Sequence, residues 1–271
     1  MTHIDLLNLP LASIIEIIGF LFLAGTTKGL IGVGMPVVAV PLLSLAVDLP
    51  TVVGLLSIPL IITNIPQAIV GDPASVVLRR LAPIFCGLII GVVIGVNLLM
   101  TINPASMKPV VGIILILIAL ALLFSPRLVV PQNLEIYASP IAGLIGGVVG
   151  GIAALPGPFV FIYLLALGIK RDQFVQYSSM FLTVAAILMT VMLGGKGVLG
   201  WTDALISAAS ALPIFIGMWV GSHIRHFVSP ELFRKIILGV VIASGINLIV
   251  NNLPATSFAT AQENIVRPDV K

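Results

Sequence analysis

A lysine among glycines is the first feature of the sequence that could do chemistry. The segment AGTTKGLIGVGMP, residues 24–36, places Lys28 in an apolar stretch that also contains four glycines. An ammonium group attracts anions, and glycine lets a ligand approach the backbone closely. Met35 and Pro36 suit the restart of a helix, because proline lacks only an N–H that the first turn leaves unpaired. The segment therefore predicts a broken helix with an anion site at the break.

A second segment rich in glycine and proline, GGVVGGIAALPGP at residues 146–158, predicts another helix restart at Gly157 and Pro158. The start of a helix offers free N–H groups and the positive end of a dipole, which can replace the hydration of an anion. Two alternatives stay open. The glycines could serve only the close packing of helices, and Lys28 could extend to the cytoplasmic interface.

Hydroxyl and amide side chains interrupt two further apolar segments and could donate hydrogen bonds to the oxygens of an anion. They are Ser57, Thr63, Asn64 and Gln67 in one segment, and Gln176, Tyr177, Ser178, Ser179 and Thr183 in the other. Ser57 and Ser179 occupy matching positions of an internal repeat, which favours them over the rest. The alternative for each side chain is a hydrogen bond to a neighbouring helix or to the backbone.

These patterns together predict a substrate site made of backbone, one cation and neutral polar groups. The predicted substrate-binding residues are Lys28, Gly29, Gly32, Gly34, Met35, Pro36, Ser57, Asn64, Gln67, Gly150, Gly151, Gly157, Pro158, Tyr177, Ser178 and Ser179. Asp and Glu lie only near the ends of the apolar segments or in loops, as Glu16 and Asp48 do, whereas proton-driven pumps usually have buried carboxylates. The sequence also contains no nucleotide-binding or hydrolase motif. We therefore predict no catalytic residue, no metal and no cofactor.

Composition identifies the class of protein. Of the 271 residues, 59% are hydrophobic and 8% are charged, and the mean hydropathy is +1.23. Soluble domains are about 45–50% apolar and about 25% charged. Charge-free intervals such as 81–107 and 136–169 exceed the roughly 20 residues that cross a bilayer as a helix. The alternating pattern of a β-barrel is absent. The sequence predicts an all-α, multi-pass membrane protein, in which the single Cys86 is a buried apolar side chain.

The net charge of +3 is small and is spread through the loops, so nucleic acid is excluded as a partner. The expected partners are the lipid bilayer and a small anionic substrate. A homo-oligomer stays open as an alternative to a monomer, and the expected location is the inner, cytoplasmic membrane.

The chain repeats itself. Pro158 and Ser179 follow Pro36 and Ser57 at the same separation of 122 residues, and ALPIFIGMWVG at 211–221 resembles an earlier segment, LAPIFCGLIIG. The predicted organisation is an N-terminal segment 1–10, a first repeat 11–124, a loop 125–137, a second repeat 138–250 and a disordered polar tail 251–271. The predicted apolar segments are 11–32, 35–48, 51–70, 81–100, 106–124, 138–152, 157–169, 174–194, 204–222 and 232–250. Such repeats are typical of secondary transporters.

The distribution of Lys and Arg distinguishes two topologies, since basic residues collect in cytoplasmic loops. If each broken pair crosses once, there are eight spans and the basic residues other than Lys28 divide six to six. If each pair turns back, there are ten segments, and the basic residues other than Lys28 divide eight to four between the two sides. The bias favours ten segments, inverted repeats and both termini outside.

The glycine-rich block GLIGVGMPVVAVPLL at 29–43, together with the duplication, resembles the sulfite exporter TauE/SafE family, also grouped as toluene sulfonate uptake permeases. The resemblance extends from about Ile15 to Val250. It implies export or uptake of sulfite, sulfonates or carboxylates by a secondary transporter or facilitator, and the family is generally drawn with eight spans. A membrane potential that is negative inside expels anions and favours export. The alternatives are a channel-like anion pore, a packing subunit of a larger complex and an intramembrane enzyme that modifies lipids.

Overall fold

The computed structural model describes residues 10–124, 129–224, 227 and 230–251, and within these residues the chain forms eleven α-helices and no strand. The helices are α1 (Leu11–Ile31), α2 (Met35–Ala46), α3 (Leu49–Ala68), α4 (Ala74–Thr101), α5 (Pro104–Phe124), α6 (Gln132–Ala153), α7 (Gly157–Ala166), α8 (Arg171–Gly195), α9 (Trp201–Ala209), α10 (Ala211–Ile224) and α11 (Pro230–Val250). The predicted segment 1–10 and the predicted polar tail 251–271 lie almost entirely outside the described residues.

The helices confirm the prediction of a multi-pass, all-α membrane protein. Among the described residues, six helices are long and apolar enough to cross a bilayer, and four shorter apolar helices accompany them. Together they follow the order of the ten predicted segments. The helices α2 and α7 contain 12 and 10 residues. At about 1.5 Å per residue, neither can cross a hydrocarbon core of about 30 Å.

The outer surface of the bundle is apolar, as expected for a surface in contact with lipid. Large apolar side chains such as Ile90, Leu117 and Trp219 are more than half exposed, whereas a soluble protein rarely exposes a continuous surface of this kind. Cys86 is also exposed, so the prediction that it is buried is wrong. In a bilayer, an apolar segment faces lipid as readily as it faces the core.

Both predicted helix breaks are present. Between α1 and α2, Gly32 and Gly34 have φ angles of 94° and 97°, the left-handed conformation that glycine adopts at little cost. Pro36 lies in the first turn of α2. Between α6 and α7, Ala154 has a φ of 54°. After each break the short helix packs back against its predecessor, α2 against α1 and α7 against α6.

The main helix contacts are symmetric with respect to the two halves of the chain. Each contact has a counterpart in which every helix is replaced by the equivalent helix of the other half. The first helix of each half packs on the fourth of the other, so that α1 pairs with α10 and α6 pairs with α4. The third helices, α3 and α8, pack on each other, and so do the last helices, α5 and α11. Two related halves would make these contacts. The inverted orientation of the halves and the domain boundaries stay predictions.

Glycines bring the paired helices into backbone contact along two seams. In the α4–α6 seam, a Cβ added at Gly91 would lie 2.9 Å from the Cα of Gly147, and one at Gly151 would lie 2.9 Å from the Cα of Gly95. In the α1–α10 seam, a Cβ at Gly29 would lie 2.9 Å from the Cα of Met218. Small residues allow such close approach of membrane helices. Close packing alone accounts for Gly29 and Gly151.

The predicted segment 204–222 is two helices in the structure. It begins at Trp201 and is divided at Ser210 into α9 and α10. Pro213 explains the division, because it has no N–H for the carbonyl of Ala209 and its ring crowds that carbonyl. The segments predicted at 81–100 and 138–152 begin earlier in the structure, at Ala74 and Gln132.

Two serines at the end of α9 donate hydrogen bonds to a carbonyl that a proline in α3 leaves free. Pro59 leaves the carbonyl of Leu55 without its helical donor, and the hydroxyls of Ser207 and Ser210 donate to that carbonyl at 3.1 and 2.9 Å. These two hydrogen bonds connect α9 to α3.

Candidate functional site

Lys28 lies in the last turn of α1, and its side chain is buried against α3, with 2% of the residue exposed. Its Nζ donates to the Thr63 carbonyl at 3.0 Å, to Thr63 Oγ1 at 3.1 Å and to Asn64 Oδ1 at 2.6 Å. These bonds use all three N–H groups of an ammonium. The alternative that Lys28 extends to the interface is therefore wrong.

The acceptors around Lys28 are held in place by their own helix. Thr63 Oγ1 donates to the carbonyl of Pro59 at 2.7 Å, and Asn64 Nδ2 donates to the carbonyl of Leu60 at 2.7 Å. The oxygens of both side chains are thereby turned toward Lys28. The site for the ammonium is preformed.

The charge of Lys28 has no anionic partner among the described residues. All three acceptors are neutral, and no described Asp or Glu forms an ion pair with it. A buried charge is costly unless it is paired, and on insertion scales a lysine at a helix centre costs about 2.5–3.5 kcal/mol. A protonated Lys28 is thus an uncompensated positive charge at the end of α1, which is the condition for attracting an anion.

The polar region formed by Lys28, Thr63 and Asn64 continues from α3 to α8 through Gln67 and Ser179. Gln67 follows Asn64 by three residues on the same face of α3, and its Oε1 accepts a hydrogen bond of 3.1 Å from Ser179 Oγ. The Gln67 amide nitrogen donates no hydrogen bond to any described residue. Lys28 of α1 and Ser179 of α8 thus bond to neighbouring turns of α3, at Asn64 and Gln67, and one amide donor is still available.

The break between α1 and α2 is open. Gly32 and Gly34 are partly exposed, and a Cβ added at Gly34 would meet nothing within 4 Å. A Cβ at Gly32 would meet only Val175 of α8, at 3.9 Å. Val175 lies one turn before Ser179 on α8, so the break and the polar region share a face of that helix.

The start of α2 adds a backbone donor to this opening. No described side chain caps the first turn of α2, in which Met35 and Pro36 are buried. Pro36 has no N–H and the Val37 N–H donates to the Gly34 carbonyl at 3.1 Å, so the first turn leaves the Met35 N–H and the positive end of the helix dipole.

The break between α6 and α7 is filled, unlike the break between α1 and α2. Gly150 and the residues that follow it as far as Pro158 are buried. A Cβ at Gly150 would lie 2.8 Å from the Pro156 side chain, and one at Gly157 would lie 2.6 Å from the Phe161 ring. At a separation of 122 residues, Pro156 and Phe161 correspond to a glycine and an alanine, Gly34 and Ala39. Larger side chains thus occupy the second break.

The structure does not bring every predicted residue to this region. The hydroxyl of Ser57 donates to the carbonyl of Val53 at 2.7 Å, as the backbone alternative predicted. Tyr177 lies two positions before Ser179 and faces the other side of α8, where its hydroxyl is 3.5 Å from Asp72 Oδ2. Ser178 is fully buried, and its hydroxyl has no hydrogen-bond partner among the residues that the structure describes.

Two features of the site are missed by reasoning from the sequence. The Thr63 carbonyl, a backbone acceptor for Lys28, has no sequence signature. Phe161, which covers Gly157, does have one, because the repeat places a phenylalanine opposite Ala39. Where one repeat has a small side chain and the other has a large one at the matching position, the packing of the two halves is expected to differ.

The family model described as sulfite exporter TauE/SafE matches residues 17–248 of the chain. The matched region contains both helix breaks, Lys28 and the polar residues of α3 and α8. No curated protein matches the chain, and no solved structure does.

Proposed function

Because the chain belongs to the sulfite exporter TauE/SafE family, we propose that it exports sulfite, sulfonates or related small anions across the cytoplasmic membrane. The transporter acts as a secondary transporter or facilitator and not as an enzyme. The family supports transport of a sulfite-like anion through a membrane. The choice of substrate, the direction and the cytoplasmic membrane are parts of the proposal.

The observation that carries this proposal is the buried ammonium of Lys28 beside an open helix break. Its partners are neutral, and Gly32 donates its backbone N–H to the Lys28 carbonyl at 2.7 Å, so charge and break are one turn apart. Two unit charges 4 Å apart attract each other by about 4 kcal/mol at an effective dielectric constant of about 20. An anion at the break therefore compensates the charge that the fold leaves unpaired.

The groups around the opening supply the donors that an anion loses with its hydration. The uncapped start of α2 presents the Met35 N–H, and Gly34 leaves room for an oxygen to approach it. The free amide nitrogen of Gln67 lies on the α3 side, and the Ser179 hydroxyl of α8 holds this side chain by donating to its carbonyl oxygen. Neutral donors add hydrogen bonds without adding charge, so the site as a whole keeps a single positive charge.

We expect a membrane potential alone to drive the transport. A potential that is negative inside expels an anion by about 2.3 kcal/mol per charge per 100 mV, which corresponds to an about 50-fold concentration ratio for a monoanion. The measurement is sulfite flux from proteoliposomes under an imposed potassium diffusion potential, with protein-free liposomes as the control. Flux that ignores the potential and requires a proton or sodium gradient would contradict export driven by voltage.

Gly34→Val tests the open break. Valine at a φ of 97° is strained by about 1–2 kcal/mol, yet its Cβ meets nothing within 4 Å, so the protein should still fold. The branched side chain blocks access to the start of α2, and we expect transport to fall by at least about tenfold, since lost hydrogen bonds to a charged group are worth about 1.5–3 kcal/mol each.

Gly197→Val is the matched control for this variant. Gly197 has a φ of 70°, nothing lies within 4 Å of its Cβ position, and it follows α8 away from the break. It carries the same backbone strain and should transport normally. Equal transport rates in the two folded variants would show that the break does not contact the substrate.

A further inference from the structure

The hydroxyl of Ser178 is a buried polar group that the fold leaves unused. Ser178 lies in the first half of α8, none of its surface is exposed, and its Oγ has no hydrogen-bond partner among the described residues. A buried hydroxyl without a partner is unfavourable and calls for an explanation.

Other buried hydroxyls in the described helices form a hydrogen bond within the helix that Ser178 does not form. Ser44, Ser57 and Thr183 each donate to the carbonyl four residues earlier, at 2.7, 2.7 and 2.8 Å. This bond within the helix is the usual way to satisfy such a group. The equivalent acceptor for Ser178 is the carbonyl of Phe174, and no such bond is formed. The hydroxyl is turned away from its own helix.

The neighbours of Ser178 show what it faces. Phe174 lies one turn before it and packs edge to face on Phe161 of α7, with ring centroids 5.8 Å apart. Phe181 lies about one turn after it, and its ring is 3.3 Å from the Cβ position of Gly146, which also contacts the Pro156 carbonyl. Residues at these spacings share one face of a helix. Ser178 therefore faces the filled break and the first turn of α7.

The aromatic ring of Phe161 covers the first turn of α7. No described side chain caps this ten-residue helix, and the ring of Phe161 lies 2.6–3.1 Å from the Cβ position of Gly157. A helix side chain points back over the preceding turn, so Phe161 shields the N–H groups at the start of α7. Backbone donors and the Ser178 hydroxyl are thus enclosed together behind one aromatic side chain.

We propose that Ser178 and the first turn of α7 form a second oxyanion contact of the transport site, which the Phe161 side chain covers in this structure. The proposal rests on the proposed function. Ser178 directly precedes Ser179, so the two contacts lie at the same level of α8, on the sides that face α7 and α3. When the ring rotates away, an oxygen of the substrate accepts hydrogen bonds from Ser178 and from α7.

The two separate groups of donors define the class of substrate. The Lys28 region and the Ser178 region bind different oxygens of one anion, and a sulfite or sulfonate head has three oxygens to share between them. A carboxylate has two and engages one region well. The site therefore favours sulfur oxyanions over carboxylates, and the space under Phe161 limits the organic group that a sulfonate can carry.

Ser178→Ala tests the contact by binding of sulfite, methanesulfonate and acetate to the purified protein, measured by calorimetry. We expect at least tenfold weaker binding of the two sulfur oxyanions and less than threefold weaker binding of acetate. The thermal stability without ligand should not fall, because the lost hydroxyl has no partner. Ser44→Ala is the matched control, since that hydroxyl bonds its own helix, and it should leave all three affinities unchanged.

Phe161→Leu and Phe161→Ala test the cover, and the leucine variant keeps most of the apolar volume in case the alanine variant does not fold. Either should strengthen the binding of benzenesulfonate relative to methanesulfonate by at least threefold. Unchanged affinities in Ser178→Ala, or an unchanged size preference in the folded Phe161 variant, overturn the inference while leaving the proposed function in place. A wild-type protein that binds none of these anions overturns both.

Discussion

We expect Lys28→Met to weaken the binding of sulfite by at least about 100-fold, which corresponds to about 2.7 kcal/mol, with little change in thermal stability. Methionine has a similar length and no charge, so it removes the positive charge that attracts the substrate. In the wild type, the Nζ contacts only neutral oxygens of Thr63 and Asn64 among the described residues. An anion that reached the variant would find donors but no counter-charge.

The effect of Lys28→Met on stability has two opposing parts. The variant leaves the oxygens of Thr63 and Asn64 without a donor, which costs about 1–3 kcal/mol per buried group. It also removes a buried charge, and apolar replacement of buried charges is often neutral or stabilising. Calorimetric binding and thermal unfolding of the same preparation separate the two roles of Lys28.

Two further substitutions control this experiment. Lys196→Met removes an exposed lysine just after α8, and it should leave the affinity unchanged apart from long-range effects. Lys28→Arg keeps the charge but not the shape of the ammonium, and it should retain part of the binding. If Lys28→Met binds sulfite as the wild type does and unfolds at a lower temperature, Lys28 is a structural link between α1 and α3.

Gly91→Ala should destabilise the protein by about 1–3 kcal/mol, a large part of a folding free energy of about 5–15 kcal/mol. The added Cβ would lie 2.9 Å from the Cα of Gly147 and 2.9 Å from the backbone nitrogen of Val148 in α6. Both neighbours are backbone atoms, so no side chain can rotate to make room. The helices α4 and α6 would have to separate along the seam.

Gly19→Ala is the control for Gly91→Ala. Gly19 lies on the exposed side of α1, and its Cβ position has no neighbour within 4 Å. Alanine is favoured over glycine in a helix by about 1 kcal/mol, so this variant should be as stable as the wild type or more stable. The measurement is the unfolding temperature together with the monodisperse fraction on gel filtration. Equal stability of the two variants would refute the backbone contact at the α4–α6 seam.

The sequence predicts the helix breaks well because backbone geometry is encoded locally. Gly32 and Gly34 adopt a conformation that few other residues tolerate, and Pro36 marks the first turn of the next helix. The ten apolar segments follow from charge-free intervals, since a bilayer penalises charge wherever it occurs. These features require no knowledge of what each segment contacts.

The partners of side chains could not be predicted in the same way. The location of Lys28 is evident in the sequence, but its bond to Asn64 joins residues 36 positions apart, and no local pattern specifies it. Cys86 illustrates a related difficulty, because apolar residues that face lipid resemble those in the core. The filling of the second break depends on where the Phe161 ring lies, which is a property of packing.

The two glycine seams determine which parts of the molecule can move separately. Each seam joins a helix of one half to a helix of the other, α1 to α10 and α4 to α6, with their backbones in contact. Rocking one half against the other would shear both seams. We expect these four helices to act as a fixed frame, within which the short helices α2 and α7 shift to expose the site to one side of the membrane and then to the other.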